Sequence, residues 1–419
     1  MGKTFAEKIL SKAAGKPICA GDVVVVAPDF YMSHENASAV CKNFEKIGVE
    51  KILRPEKVVI IFDHTVPSST PAYAMSQKVT REFVLKQGII NFFDMHNDGG
   101  ICHQVMCQEG YASPGLVIVG SDSHTCMHGA LGAFATGIGR TEMAAVWATD
   151  SIWFQVPQTL KVTARGVFNK LVSAKDFILK LVGDIKADGA DYLSIEFHGE
   201  GIRNMSIAER MTICNMGVEM GAKNAACEPD TKVDSYLENK VKIPASQKIW
   251  ADPDASYTRE LEYDLSTLEP CVAKPHTVDN YAPVGNVQGQ RIDQAFIGTC
   301  TNSRIEDLRI VAQILKGKKV AVRTLVYPAS RKIFRDAIDE GIINILLDAG
   351  CTVEHPGCGP CIGVYGGALA DGEVCISTAN RNFMGRMGSK ESGIYLASPA
   401  TAAWSAVCGE IRDPREVTI

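Results

Sequence analysis

The sequence predicts an α/β protein built on parallel sheets. Short apolar runs rich in β-branched residues recur along its 419 residues, and each run ends at a group of polar or small residues. The runs show little alternation of apolar and polar residues, which is typical of strands buried on both faces and covered by helices. The runs that we predict as strands are residues 23–26, 58–62, 116–119, 295–297 and 374–376.

Helical patterns follow several of these strands, as expected for an α/β fold. One start signal stands out, because Ser303 and Glu306 form a capping-box pattern ahead of apolar residues at helical spacing. Further helices are predicted over residues 76–86, 141–151 and 331–347. Polar groups that follow strands in such sheets lie at the edge where ligands bind.

Changes in the grouping of predicted strands and helices and in the density of charged residues divide the chain into three predicted subdomains. We place the boundaries near residues 158 and 275, which gives subdomains at residues 1–158, 159–275 and 276–419. Prolines at both ends and in the middle of residues 270–283 suggest a linker into the last subdomain.

The composition excludes two broad functions. The 43 basic and 48 acidic residues give a net charge of −5 without a basic cluster, which argues against nucleic acid binding. Apolar runs stay short of the roughly 18 residues that a membrane span needs. Fourteen cysteines without the pattern of a secretory leader suggest a reducing compartment, so we expect a cytoplasmic protein.

Two cysteine motifs are the strongest chemical signal. Cys358 and Cys361 enclose Gly359-Pro360, so two thiolates can converge on one centre. Cys300 precedes the helix predicted after residue 303, and the dipole of a helix favours a thiolate near its start. Three thiolates could then meet.

The cysteines by themselves leave four interpretations open. They could be inert buried thiols, or Cys358 and Cys361 could be the dithiol of a thiol-disulfide oxidoreductase. A zinc-stabilised binding protein would need a fourth ligand, for which His355 or Cys351 is available. An iron–sulfur cluster with three cysteine ligands would leave one iron open to substrate as a Lewis acid.

Acid-base groups follow other predicted strands. A carboxylate beside an imidazole sets the tautomer and the proton affinity of the histidine. Asp63-His64 and Asp122-Ser123-His124 each place a carboxylate close to an imidazole after a predicted strand. Their recurrence indicates a catalytic role. The candidate residues are Asp63, His64, His103, Asp122, His124 and Glu219.

Two arginines follow the last predicted strand. Arg381 and Arg386 are five residues apart, and arginine is suited to a bidentate grip on carboxylates. The pair therefore suggests a small di- or tricarboxylate substrate.

These motifs together resemble the aconitase superfamily, and within it the large subunits of 3-isopropylmalate dehydratase and homoaconitase. The resemblance runs nearly end to end, and its motifs occur in the order that the family has. The matching stretches are Phe62-Asp63-His64-Thr65, Cys102-His103-Gln104, Gly120-Ser121-Asp122-Ser123-His124-Thr125, Asn215-Met216-Gly217 with Glu219, Gly298-Thr299-Cys300-Thr301-Asn302, Cys358-Gly359-Pro360-Cys361, and Asn380-Arg381-Asn382-Phe383 with Gly385-Arg386.

The resemblance implies three aconitase-like subdomains around one [4Fe-4S] cluster per chain. Cys300, Cys358 and Cys361 would be its ligands. The six acid-base residues above would handle the leaving hydroxyl and water. By the same resemblance, Arg381, Arg386 and Ser123 would bind substrate, and Asn215, Asn302 and Asn380 would lie next to the cluster.

The implied reaction is the dehydration and rehydration of a substituted malate. The first choice is 3-isopropylmalate in leucine biosynthesis, with 2,3-dimethylmalate dehydratase and homoaconitase as sister activities. The residues near Ser33-His34-Glu35 and those after His64 differ from the commoner isopropylmalate dehydratase sequences. The resemblance therefore leaves both sister activities open. The family's swivelling domain is not found in this sequence, so the resemblance implies a separate small subunit that carries it and predicts that this chain is inactive alone.

Overall fold

The computed structural model describes residues 2–243 and 248–418. Helices and strands alternate along much of this range, which confirms the predicted α/β class. The strands are β1 (Val23–Val26), β2 (Phe30–Ser33), β3 (Val58–Ile61), β4 (Asn91–Phe93), β5 (Val117–Gly120), β6 (Phe134–Gly137), β7 (Ile152–Gln155), β8 (Thr159–Arg165), β9 (Ser194–His198), β10 (Asn224–Cys227), β11 (Arg259–Asp264), β12 (Cys271–Ala273), β13 (Tyr281–Pro283), β14 (Gln294–Ile297), β15 (Arg323–Val326), β16 (Thr352–Val353), β17 (Val374–Ser377) and β18 (Gly393–Ala397).

Most α-helices run between consecutive strands, as crossover connections of parallel sheets do. The helices are α1 (Phe5–Ala14), α2 (Ala37–Ile47), α3 (Pro71–Gln87), α4 (Cys102–Gln108), α5 (Arg140–Thr149), α6 (Ala174–Ile185), α7 (Glu200–Asn204), α8 (Ile207–Asn215), α9 (Thr231–Leu237), α10 (Ile305–Leu315), α11 (Arg331–Asp339), α12 (Ile342–Ala349) and α13 (Pro399–Cys408). None of these described helices combines the length and the apolar character that crossing a membrane requires.

Contacts between residues divide the chain into two compact units. The first unit comprises Met1–Phe62, Pro67–Arg165 and Ala190–Tyr263, and the second comprises Asp63–Val66, Gly166–Gly189 and Asp264–Ile419. The three larger sheets follow one another along the chain, over residues 30–137, 159–264 and 271–397. The predicted boundaries near residues 158 and 275 stay a prediction.

The first unit contains a five-stranded sheet in the order β4-β3-β2-β5-β6. All its neighbouring strands are parallel. Because β2 and β5 are neighbours, the residues that follow them, His34 and Asp122, emerge at the same edge. A second sheet has the order β10-β9-β8-β11, with β8, β9 and β10 parallel.

The second unit is built on a seven-stranded sheet in the order β13-β12-β18-β17-β14-β15-β16. Its five strands from β18 to β16 are parallel, whereas β12 pairs antiparallel with both neighbours. Since β14 and β17 are parallel neighbours, the segments that follow them start side by side. Those segments carry Cys300 and Asn380.

Two sequence predictions about these elements are wrong, and a third is confirmed for the strand but not for its burial. The linker expected over residues 270–283 contains β12 and β13, which form an antiparallel pair. The helix expected over residues 331–347 is two helices, because Gly341 takes a left-handed φ of 72° that ends α11. The strand at residues 23–26 forms, but it pairs antiparallel with β7 and leaves Val23 and Val25 about two-thirds exposed.

The helices predicted over residues 76–86 and 141–151 are confirmed as α3 and α5, with shifted ends. The capping box predicted at Ser303 is displaced by one residue. The N-cap is Arg304, whose backbone N–H donates to Asp307 Oδ2 at 3.0 Å. Ser303 cannot serve as the cap because its hydroxyl donates to the Thr299 carbonyl at 2.7 Å.

Candidate active site

Three buried cysteines of the second unit follow strands of the seven-stranded sheet. Cys300 comes after β14, and Cys358 and Cys361 lie in the loop between β16 and β17. Each side chain is less than a tenth exposed, and none of the three forms a disulfide bond. Burial at the carboxyl edge of parallel strands is the usual position of a ligand site in such sheets.

The turn that carries Cys300 is held in an uncommon conformation. Thr299 has a φ of 77°, in the left-handed region that β-branched residues rarely adopt. Hydroxyl groups stabilise the turn, since Thr299 Oγ1 lies 2.6 Å from Thr301 Oγ1 and the Gly298 N–H donates to Thr378 Oγ1 at 2.9 Å. The Cys300 backbone is therefore fixed by its neighbours.

One carboxamide contacts sulfurs of both cysteine motifs. Asn380 Nδ2 lies 3.3 Å from Cys300 Sγ, and Asn380 Oδ1 lies 3.9 Å from Cys361 Sγ. Asn380 is itself buried, at 1% exposure. The contacts bring Cys361 of the CxxC loop and the distant Cys300 to one side chain. The meeting of all three thiolates stays a prediction.

The CxxC loop is also attached to the segment that contains Asp63. The Cys358 N–H donates to the Asp63 carbonyl at 2.9 Å, and Cys358 Sγ lies 3.7 Å from Asp63 Oδ2. A Cβ at Gly357 would lie 3.0 Å from the same carbonyl, so the close approach favours glycine there. Asp63 Oδ1 in turn lies 2.5 Å from His64 Nδ1, so the predicted carboxylate–imidazole pair is present beside the thiols.

Four predicted acid-base residues form a continuous hydrogen-bonded chain in the first unit. Asp122 Oδ1 accepts from the His124 backbone N–H at 2.9 Å and lies 2.8 Å from His103 Nε2. His124 Nε2 lies 2.8 Å from Glu219 Oε1. The order of the chain is therefore His103, Asp122, His124, Glu219, with carboxylates on both sides of His124.

Electrostatics keep the centre of this chain ionised. Burial raises the pKa of the Asp122 carboxyl, but hydrogen bonds from His103 and His124 outweigh burial and hold that pKa well below its usual value. Asp122 is therefore an anion at any pH where the protein would work. An imidazole between two carboxylates is held in one orientation and can take up or release a proton.

The predicted substrate arginines differ in their surroundings. Arg386 Nη2 lies 3.7 Å from Cys361 Sγ, whereas Arg386 Nε is buried and has no hydrogen-bond partner among the described residues. A buried guanidinium N–H without a partner is costly unless a ligand supplies an acceptor. Arg381 is half-buried in the same loop.

The remaining predicted residues have mixed positions. Asn302 Nδ2 donates to Asp307 Oδ1 at 3.0 Å, and Asn215 Nδ2 lies 3.5 Å from Met127 Sδ in the first unit. Ser123 borders a cavity of about 320 Å³ in the first unit that Val218 and Lys223 also line. The roles of these residues in binding a cluster or substrate stay predictions.

Sequence reasoning missed three residues that the structure brings to the predicted ones. His34 Nε2 lies 3.9 Å from Asp122 Oδ2, and the buried His128 ring lies 5.6 Å from that of His103. His34 follows β2 as the other candidates follow their strands, so the same signal could have found it. Lys175 is buried at the start of α6, and no local pattern distinguishes it from a surface lysine.

Comparisons with known proteins agree with this arrangement. The chain matches the Aconitase family (aconitate hydratase) over residues 7–409. It is 51% identical to the 3-isopropylmalate dehydratase large subunit 1 of Methanopyrus kandleri, over 99% of both chains. It is 50% identical to the probable methanogen homoaconitase large subunit of Methanosarcina mazei, over 93% of this chain and 99% of that one.

A solved structure supports the fold. The holo form of aconitase X from Thermococcus kodakaraensis superposes with a TM-score of 0.52 at 13% identity, over 90% of this chain and 89% of that one. At that identity the likeness concerns the fold alone. The sequence matches, by contrast, extend over almost the whole chain, and the chain therefore belongs to the aconitase family of hydro-lyases.

Proposed function

We propose that this chain is the large subunit of a [4Fe-4S] hydro-lyase that dehydrates and rehydrates a substituted malate, with 3-isopropylmalate as the first substrate to test. The observation that carries the proposal is the contact of Asn380 with both Cys300 and Cys361, because it joins two distant cysteine motifs at one buried point. A relative at 51% identity bears the name 3-isopropylmalate dehydratase large subunit.

Membership of the aconitase family implies an iron–sulfur cluster. The residues present fit a [4Fe-4S] cluster, since Cys300, Cys358 and Cys361 are buried and form no disulfide bond. N–H groups of Asn380 and Arg386 lie next to two of the sulfurs, and such hydrogen bonds tune bound thiolates. A cluster with three cysteine ligands supplies one iron without a protein ligand as a Lewis acid.

Substrate binding is assigned to the loop that follows β17. Arg386 offers a buried Nε without a partner among the described residues, and Arg381 lies half-buried in the same loop. Two guanidinium groups match the carboxylates of a substituted malate. Because Asn380 precedes Arg381 and contacts the thiols, the loop that binds carboxylate also touches the proposed cluster ligands.

Proton handling is assigned to the two carboxylate–imidazole groups. Asp122 lies within hydrogen-bond distance of His103 Nε2 and accepts a hydrogen bond from the His124 backbone N–H. Glu219 lies within hydrogen-bond distance of His124 Nε2. Both rings therefore have fixed orientations. Asp63 orients His64 through Nδ1. These groups would give a proton to the departing hydroxyl and take one from water in the reverse direction.

The names of the relatives as large subunits imply a small-subunit partner. We assign the remaining substrate contacts to that partner, so the isolated chain should not turn over substrate. Near-equal identity to a homoaconitase large subunit makes that activity the second candidate.

The test is an anaerobic assay of the cluster-loaded chain with and without its co-expressed small subunit. Formation of the carbon–carbon double bond is followed by ultraviolet absorbance with 3-isopropylmalate, homocitrate (the hydrated form of homoaconitate) and 2,3-dimethylmalate. Turnover of 3-isopropylmalate by the pair and its absence for the large subunit alone is the expected result. A pair that takes up iron and sulfide but dehydrates none of the three would overturn the proposal.

A further inference from the structure

Lys175 is a completely buried charge that the proposed reaction does not use. It is the second residue of α6, and its side chain has 0% exposure. Lysine is almost never fully buried unless its ammonium is paired or hydrogen-bonded. Lys175 Nζ donates to the carbonyls of Thr378 and Ala379, at 2.7 Å each. These are its only two acceptors among the described residues.

The two carbonyls lie directly before the residue that contacts the thiols. Thr378 and Ala379 lead from β17 into Asn380, whose amide touches Cys300 and Cys361. The Thr378 carbonyl also accepts from Thr301 Oγ1 at 3.0 Å, which belongs to the Cys300 turn. The ammonium therefore fixes the backbone where the segments after β14 and β17 come together.

The start of α6 is anchored independently by the next residue. Asp176 Oδ1 accepts from the Cys271 N–H at 3.0 Å, and Asp176 Oδ2 accepts from the Ser173 N–H at 2.9 Å. The first interaction ties α6 to β12, and the second closes its capping box. Because Asp176 secures the helix, Lys175 is not needed for that purpose.

The charge of Lys175 is coupled to the thiols. Burial lowers the pKa of the Lys175 ammonium to about 7, and electrostatic interactions with Cys300, Asp307, Asp176 and Cys361 act against that fall. Two of these four are proposed cluster ligands. An anionic cluster would therefore help to keep Lys175 charged, and by the same interaction Lys175 would stabilise negative charge on the cluster.

We propose that Lys175 is a positioning residue for the cluster, which fixes the Thr378 and Ala379 carbonyls so that Asn380 keeps its sulfur contacts, and which supplies a buried positive charge next to the segment that contacts Cys300 and Cys361. The inference rests on the proposed function, because it presupposes the cluster. The effect of Lys175 on the cysteine ligands of the cluster does not depend on which substrate the enzyme takes.

The test compares Lys175→Gln and Lys175→Met with the wild type, each as full chain with small subunit after anaerobic reconstitution. Glutamine removes the positive charge but can still donate a hydrogen bond to one carbonyl. Methionine removes both the positive charge and the hydrogen-bond donor. Lys180→Met is the matched control, since Lys180 lies on the same helix and pairs with Asp184 at the surface. The readouts are the midpoint reduction potential of the cluster and the rate at which a chelator removes iron.

Both Lys175 variants should show a lower midpoint potential, because loss of a positive charge disfavours the reduced cluster. Iron loss to the chelator should be about 10- to 100-fold faster, the size expected when a group that orients metal ligands is removed. Lys180→Met should match the wild type. If Lys175→Met does not fold, the midpoint potential and the rate of iron loss of Lys175→Gln alone test the inference. A wild-type potential and wild-type iron loss in Lys175→Gln would overturn the inference.

A double-mutant cycle with Asn380→Ala tests the positioning role. If Lys175 acts through Asn380, Lys175→Gln should accelerate iron loss far less in the Asn380→Ala background than alone. Fully additive effects would overturn that role. A wild-type chain that takes up no cluster under the same conditions would refute the proposed function itself, and the two failures are thereby distinguished.

Discussion

Asn380 Nδ2 lies 3.3 Å from Cys300 Sγ, while the other end of the same carboxamide lies 3.9 Å from Cys361 Sγ. The amide thus presents an N–H to one sulfur and an oxygen to the other. An amide N–H can donate a hydrogen bond to a sulfur, whereas an amide oxygen can only accept one. Because of this asymmetry, the two cysteines depend differently on Asn380.

Asn380→Asp should weaken cluster retention. The substitution keeps the shape of the side chain but replaces the N–H with a carboxylate oxygen beside Cys300, which repels a thiolate. A chelator should remove iron about 10- to 100-fold faster than from the wild type. Asn286→Asp, at an exposed position of the same unit, is the control. Equal iron loss in both variants and the wild type would contradict this role of Asn380.

Cys300→Ser should abolish the cluster, and so should Cys358→Ser. The wild type is expected to contain about four iron and four labile sulfide per chain after reconstitution. Cys351→Ser should retain that content, although Cys351 is equally buried. Elemental and sulfide analysis checks all three variants.

The same three variants separate the alternatives left open by the sequence. A thiol-disulfide oxidoreductase would need Cys358 and Cys361 and would tolerate Cys300→Ser. A zinc site using Cys351 would lose metal in the intended control. Retention of full iron and sulfide by Cys300→Ser is the result that the three-cysteine cluster cannot accommodate.

Asp122→Asn should lower kcat about 10²- to 10⁴-fold, the usual contribution of an acid-base group. The amide removes the negative charge that lies next to the His103 and His124 rings. The free energy of unfolding should also fall by about 1–3 kcal/mol at neutral pH. Since the pKa of Asp122 is depressed by folding, its stabilisation is present above the ordinary value of about 3.9 and is lost as the pH falls through the folded pKa.

Assays and urea unfolding between pH 3 and about pH 8 measure both effects of Asp122→Asn, the latter on cluster-free protein. Asp98→Asn is the control, because Asp98 is exposed in the same unit. Activity within about twofold of the wild type would be incompatible with the proton-handling role, since even a modest acid-base contribution exceeds that.

His128→Gln should make the folded protein less sensitive to acid. Both His128 ring nitrogens lack a partner among the described residues, and burial holds the pKa of His128 well below its usual value. The unfolded chain binds a proton near pH 6.5 that the folded protein does not bind. The free energy of unfolding therefore falls by up to about 1.4 kcal/mol per pH unit below about pH 6.5, and this term is absent above it.

Urea unfolding from about pH 7 to pH 4.5 measures this slope. The slope should decrease in His128→Gln and stay unchanged in His96→Gln, since His96 is exposed in the same unit. Identical acid slopes for the wild type and His128→Gln would show that His128 titrates alike in the folded and unfolded chains.

Arg386→Lys should raise KM for the dicarboxylate about tenfold or more and change kcat less. Lysine keeps the charge but loses the planar fork that grips a carboxylate, and a hydrogen bond to a charged group contributes about 1.5–3 kcal/mol. Steady-state kinetics of the complex with its small subunit measure the effect. Arg309→Lys, in an exposed pair with Glu340, should behave as the wild type. A larger loss in kcat than in substrate affinity would argue against binding as the role of Arg386.

The sequence was sufficient for the class of fold and for naming the candidate site residues. Buried β-branched runs and the cysteine, histidine and arginine motifs are local signals, because each depends on residue types at short spacing. The errors arose where other contacts, local or distant, override the preference that the pattern indicates. Ser303 did not cap α10 since its hydroxyl is occupied by Thr299, and the segment around Cys271 pairs as a strand with its neighbours.

The sequence by itself determined that this chain is an α/β protein, and it singled out three of the fourteen cysteines, two of the arginines and several carboxylate–imidazole pairs as candidates for hydro-lyase chemistry. Only the tertiary structure decided which of these groups touch, such as Asn380 with Cys300 and Cys361. It also decided that Lys175 is buried against Thr378 and Ala379. Burial and hydrogen bonding between residues far apart in the chain depend on packing, and no local pattern encodes them.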